Sequence, residues 1–434
     1  MQESLIHYLW SLQYFDRSSL LTTGGEPIVL FHPGMLNTHA GPDFSNARLS
    51  IGDIKWVGNV EIHIKSSGWF EHHHDVDPAY DTVILHVVWQ EDKEILRRDG
   101  TRLPTLELRG RVHDDLIRSY RQLISSAFTI PCKRTFPAVD MLLKQSMISK
   151  ALVHRLERKA EDVLTLLALN GNDWEETTYQ LIARAFGFKV NADPFLQLAK
   201  SIPLKLLRKQ QQLTQVEALL FGQAGFLEST KGDEYYLMLR REHHVLAHKY
   251  RLSDGRLNKS QWHFLRLRPP NFPSLRIAQL SAFIHHQQNV FSRFLAAQDA
   301  SELLKLFRFS PSPYWHEHFQ FTKKSANRIH ELGKGSAEGI IINTVVPILV
   351  AYGRRTDDQP CVDRALGLLE QLPPEENSIV GRWSDLGMVA QNSFDAQGLI
   401  ELFNTFCTRK NCLQCTIGAS IIRPPVDEPD HTVS

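Results

Sequence analysis

The sequence predicts an α+β protein, with a mixed-sheet domain at the N-terminus followed by a mostly α-helical domain that ends in a cysteine cluster. Three observations predict it. Gly52-Asp53 separates two β-like runs, a hairpin signal. Thr82 to Trp89 (TVILHVVW) is an almost unbroken apolar run, as expected of a central strand covered on both faces. From about Val112 the apolar spacing changes from period two to helical period.

In chain order, residues 1–15 read as an amphipathic helix carrying Leu5, Tyr8, Leu9, Leu12 and Phe15 on one stripe. They lack the basic start and apolar centre of a secretory signal. Glu26 to Phe31 is a first strand, ended by His32-Pro33-Gly34. The hairpin follows, and then Gly68 to Asp81, polar and aromatic, forms a short helix or ordered loop. The buried strand comes next, with Leu103 to Leu108 as a further strand. This domain is assigned to residues 1–120. The helical domain is assigned to 121–422, with helices over Leu142–Leu169, Thr177–Phe186, Ser274–Phe307, Ala337–Gly353, Asp363–Leu372 and Asp395–Phe406. Arg266 to Pro273 interrupts it as a Pro-rich loop. The end, residues 423–434, has the composition of a disordered tail.

The chain has 434 residues, enough for two or three cores. With 49 basic against 48 acidic residues, net charge neither implies nor excludes a nucleic-acid partner. Local basic stretches such as Arg240–Arg251 offer phosphate contacts, although solvated helix faces explain them more simply. No apolar run reaches bilayer-spanning length, Ile340 to Tyr352 being the longest, so no membrane partner and a cytoplasmic location are expected. Five cysteines, an odd number in a long chain, argue against a disulfide framework.

The chemistry concentrates in Gly41 to Lys65. Pro42-Asp43 stands before the first hairpin strand. In the second strand, Glu61, His63 and Lys65 alternate with Val60, Ile62 and Ile64, so acid, imidazole and amine share one face. A carboxylate entering one strand and a Glu-x-basic row on its partner can converge on a divalent cation. Pro-Asp, 17 residues, then Glu-x-His resembles the signature of the restriction-endonuclease-like, or PD-(D/E)XK, superfamily, as does the element order. The resemblance implies a metal-dependent nuclease acting on nucleic acid, in which Asp43 and Glu61 bind Mg²⁺ or Mn²⁺. His63 stands at the usual Lys position, so either His63 or Lys65 would handle the attacking water. A scaffold that keeps the fold without catalysis is the competing expectation.

His72-His73-His74-Asp75, near Asp77 and His86, offers a second metal-ligand set, and a zinc hydrolase using His72, His74 and Asp75 is a third reading. His86 lies in an apolar run, where a core imidazole is the simpler account. Cys407, Cys412 and Cys415 form C-x4-C-x2-C, three soft ligands for zinc or an iron–sulfur cluster. Cys132 is the better fourth ligand and Cys361 the poorer, because Cys132 lies at the seam of the two regions. The spacing resembles endonuclease III-type glycosylases and, more closely, iron-staple nucleases, which implies [4Fe–4S] as the alternative to Zn²⁺.

Across nearly its whole length the chain resembles the domain of unknown function 2851 family, a family of bacterial proteins. The resemblance is carried by Gly41–Phe44, Val60–His63, Trp69–His74, Asp77–Tyr80, Ile84–Val88, Asn271–Gln279 and Cys407–Gly418. It implies no particular activity.

Overall fold

The computed structural model describes residues 1–252, 255–325 and 331–423. The expected tail, 423–434, lies outside these apart from Arg423. The chain divides into two units, Met1–Met147 with Leu402–Ser434, and Ile148–Glu401. The first unit runs to Met147, past the sequence-based boundary at 120. The cysteine segment, expected in the helical domain, belongs to the first unit. A pattern read along the chain cannot detect such a return, because what defines the unit is long-range packing.

The first unit opens with α1 (Glu3–Leu12), which buries Leu5, Ile6, Tyr8, Leu9 and Trp10 and stops at Gln13 in the left-handed region. Leu12, expected on the buried stripe, is exposed at that stop. A six-stranded mixed sheet follows: β1 (Ile28–His32), β2 (Met35–Leu36), β3 (Phe44–Ile51), β4 (Ile54–Lys65), β5 (Val83–Gln90) and β6 (Thr105–Glu107). The spatial order is β1-β3-β4-β5-β6, with β2 paired to β3. The β3–β4 hairpin turns at Gly52-Asp53, with Ile51 opposite Ile54, as its sequence predicts. β5 is buried from Val83 to Val88 and pairs in parallel with both β4 and β6. A parallel neighbour needs a crossover. The segment between β4 and β5 supplies one and contains α2 (Gly68–Glu71) and a 3₁₀ turn at Pro78–Tyr80.

After the sheet come α3 (Asp114–Ser125) and α4 (Met141–Leu169), the latter containing the unit boundary. The second unit is helical around a large apolar core that includes Phe186, Phe195, Phe221, Phe283 and Trp315. Its Pro-rich interruption is a short turn, Pro269–Asn271, running into a helix that starts at Pro273, where a missing N–H costs nothing. The helical run Lys334–Thr356 is 23 residues, longer than the apolar stretch inside it because polar residues at both ends extend it. By length and composition it could cross a membrane, yet 67% of its most apolar window is buried in the protein.

Candidate metal centre

The hairpin places two carboxylates against each other. Asp43 precedes β3, whose Phe44 pairs with Val60 of β4, and so it stands beside Glu61. The Asp43 N–H donates to Glu61 Oε2 (3.1 Å), and the Ile62 N–H donates to Asp43 Oδ2 (3.0 Å). The same Oδ2 lies 3.1 Å from His7 Nε2 of α1. Burial disfavours a charged His7, but the hydrogen bond and charge of Asp43 outweigh it and raise the imidazole pKa.

Glu61 and His63 are 4% and 2% exposed, so a charge here must be matched within the protein or by a ligand. Burial raises the Glu61 pKa; nearby His74 lowers it and the Asp43 charge raises it again. His63 is pushed down to about 2, first by burial and then by His86, His72 and His74. His86 is pushed down to about 3, mainly by burial. Both rings are neutral, the form that ligates metals.

The His-rich turn folds over this face for local reasons. A Cβ on Gly68 would come within 2.6 Å of the His63 ring, so only glycine lets α2 start there. At the other end of α2 the His74 N–H bonds the Trp69 carbonyl and the His73 N–H bonds that of Phe70. His73 is left-handed (φ 60°), which completes a Schellman turn. The accompanying contact of that motif is Trp69 edge-on to His74, with centroids 5.4 Å apart. The turn exposes His73 and returns His72 and His74 to the site. Tyr80 then stacks on His74 at 3.7 Å.

Ligand atoms of His63, His72 and His74 lie within 4.8 Å of one another. His63 Nε2 is 3.1 Å from His72 Nδ1, and Glu61 Oε1 is 3.1 Å from His74 Nε2 and 3.9 Å from His63 Nε2. An ion bound at ~2.1 Å by such atoms separates them by roughly 3 Å at right angles and roughly 4 Å when opposed. The His63–His72, Glu61–His74 and Glu61–His63 distances fall in that interval. The approach of His74 to Glu61 lacks hydrogen-bond angles, and His74 Nε2 is buried without a hydrogen-bond partner among the described residues. The three imidazoles therefore fit one cation, with Glu61 beside two of them. His63 Nδ1 lies 2.9 Å from His86 Nε2, the outer contact that fixes a ligating imidazole's tautomer and orientation. His72 is exposed, so the site opens to solvent on that side.

Other predicted residues lie elsewhere. The exposed Lys65 is one pleat, roughly 7 Å, beyond His63. Its Nζ points to Asp92, 3.9 Å away. Asp75 lies outside the three-histidine group, and Asp77 caps the Pro78–Tyr80 turn by accepting from the Ala79 N–H. His86, read as a core imidazole, contacts a candidate ligand. His7 carried no sequence signal beyond its place on an amphipathic helix.

The family described as protein of unknown function (DUF2851) matches residues 3–378. The chain belongs to that family. No curated protein and no solved structure matches it. In this DUF2851 member the matched span contains the whole histidine–carboxylate centre and Cys132 but stops before Cys407. Cys132, Cys407, Cys412 and Cys415 are all buried and all in the first unit. Burial and the neighbouring sulfurs raise Cys132 to about 12, and Cys407 rises for the same reasons. Cys361 belongs to the second unit, its Sγ 3.5 Å from the Leu349 carbonyl.

Proposed function

We propose that the first unit is a metal-dependent hydrolase of nucleic-acid phosphodiesters, with Glu61, His63, His72 and His74 holding the ion. The observation that carries this reading is a cluster of three imidazoles whose ligand atoms lie within 4.8 Å of one another, two of them beside the buried Glu61 carboxylate. Phosphodiesters are the proposed substrate because the sheet order, an antiparallel hairpin followed by a parallel strand, resembles a restriction-endonuclease-like core. The pairing of Asp43 with Glu61 across the hairpin also resembles that superfamily's acidic pair.

The donor set differs from a two-carboxylate Mg²⁺ site. Imidazole suits Zn²⁺ or Mn²⁺ better than Mg²⁺, and Asp43 Oδ2 already accepts from Ile62 and faces His7. A divalent ion bound there supplies Lewis-acid activation of the phosphoryl group and of the attacking water. Asp43 keeps His7 protonatable at the edge of the site, Glu61 and the imidazoles fix the ligand positions, and the His72 side admits substrate. The imidazole-rich set also supports a second reading, a zinc hydrolase of another substrate.

The test is cleavage of labelled single- and double-stranded DNA and RNA, with a small phosphodiester and a carboxylate ester alongside, in Mn²⁺, Zn²⁺ or Mg²⁺. Nucleic-acid cleavage that disappears in Glu61→Gln and His74→Ala supports the first reading. Turnover of the carboxylate ester alone supports the second. No turnover with any ion, or cleavage unchanged in both variants, overturns both.

A further inference from the structure

We propose that Cys132, Cys407, Cys412 and Cys415 bind a second metal centre through four thiolates, joining the segment that precedes the helical unit to the segment that follows it. Cys132 and Cys407 are 407 − 132 = 275 positions apart, and the entire second unit, Ile148–Glu401, lies between them. The fold nevertheless returns both to the first unit together with Cys412 and Cys415, and all four are buried.

Independent contacts place both segments on the first turns of α4. On the C-terminal side, the Thr416 N–H donates to Met147 Sδ (3.3 Å) and its hydroxyl to the Leu143 carbonyl (3.5 Å). On the N-terminal side, Lys144 Nζ donates to the Pro137 carbonyl (3.3 Å) and sits over the Phe136 ring at 4.7 Å. The Cys132 carbonyl accepts from the N–H groups of Thr135 and Phe136, tying it to that segment. Lys410, between the cysteines, reaches the Ile124 carbonyl at the end of α3.

The local backbone turns back on itself between these cysteines. Cys407 closes a π-helical stretch, Leu402–Cys407, and wide turns of this kind recur at functional sites. Lys410 is left-handed (φ 54°) and bends the chain back. The Cys415 N–H then bonds the Cys412 carbonyl (3.3 Å), and Cys415 begins the helix Thr416–Ile422. Inside that helix a Cβ on Gly418 would lie 2.2 Å from the Cys412 carbonyl oxygen. Close packing of the helix on the cysteine turn therefore requires a glycine there. No three of these sulfurs, all among the described residues, lie within 4.8 Å of one another. That is a wider spread than the roughly 4 Å between thiolates on one Zn²⁺, so they suit a cluster that gives each sulfur its own iron better than a single ion.

The test uses the full chain purified without oxygen. Zinc, iron and acid-labile sulfide are measured, and absorption is recorded before and after Co²⁺ exchange. His72→Ala/His74→Ala serves as background so that the histidine centre is not counted. Zinc with cobalt–thiolate charge-transfer bands, or iron with equal labile sulfide and broad visible absorption, supports the proposal and identifies the metal. Cys132→Ser and Cys412→Ser should lose that signal, and Cys361→Ser should keep it. Absence of both signatures from the background protein, even after reconstitution, overturns the proposal. So does a Cys132→Ser protein that keeps full metal content. The spectra come from protein with all five cysteines, so a variant that fails to fold does not decide the outcome.

Discussion

Glu61 and Glu217 are both carboxylates almost wholly removed from water, and burial raises the pKa of each. Their surroundings differ. Glu217, on the helix Leu213–Gln223 of the second unit, accepts through Oε2 from the Tyr235 hydroxyl (2.5 Å) and the Ser312 hydroxyl (2.7 Å). Its pKa is raised to about 7, so it can shed its charge by taking a proton near neutrality. Glu61 instead faces imidazole nitrogens, one of them without any hydrogen-bond partner among the described residues. Two hydroxyl donors satisfy Glu217 Oε2, while its Oε1 is buried without a hydrogen-bond partner among the described residues. Glu61 Oε2 takes the Asp43 N–H, and its Oε1 faces His74 and His63, where we propose that a cation binds. Burial alone would have ranked the two glutamates as equals.

The comparison breaks most sharply on metal affinity. Glu61→Gln should weaken Zn²⁺ or Mn²⁺ binding by more than about 100-fold, beyond the range usual for outer contacts of a metal site. Glu217→Gln should leave it unchanged by calorimetric titration. Equal effects would erase the distinction.

Stability against pH separates them next. Glu217 has a higher pKa folded than unfolded, so the native state holds the extra proton and is penalised as that proton leaves. The penalty is absent below about 4.5 and complete above about 7, on the order of 3 kcal/mol. Urea melts of Glu217→Gln and the parent should therefore diverge in favour of the variant between pH 5 and 9. A constant difference would mean that Glu217 keeps the same pKa when unfolded.

His86 probes the outer contact. His86→Phe removes the partner of His63 Nδ1 while filling the space, and metal affinity should fall about 10- to 100-fold. An unchanged affinity would return His86 to a packing role. The smallest effect is expected at Asp77. Loss of its cap in Asp77→Ala should cost about 1 kcal/mol in a thermal melt and only slightly loosen Tyr80 over His74.

Local pattern made much of the first unit legible. Gly52-Asp53 marked the hairpin, the apolar run marked β5, and period two put Glu61 and His63 on one face. The His72–His74 cluster was visible as composition. Its geometry was not, because it depends on a left-handed His73 and on the space that Gly68 leaves above the His63 ring. His7 reaches Asp43 from 36 positions away, and His86 is indistinguishable in sequence from a core imidazole. Lys65 shares the strand face but lies past the crossover segment, which contributes the histidines in its place. The return of Leu402–Ser434 to the first unit is the least legible feature, since only tertiary packing defines it.

The most direct measurement is anomalous diffraction at the zinc edge from crystals grown with Zn²⁺. The account predicts a peak about 2.1 Å from Glu61 Oε1 and from ligand nitrogens of His63, His72 and His74. No peak at this cluster, or an ion held by Asp43 and Glu61 alone with the imidazoles turned away, would contradict it.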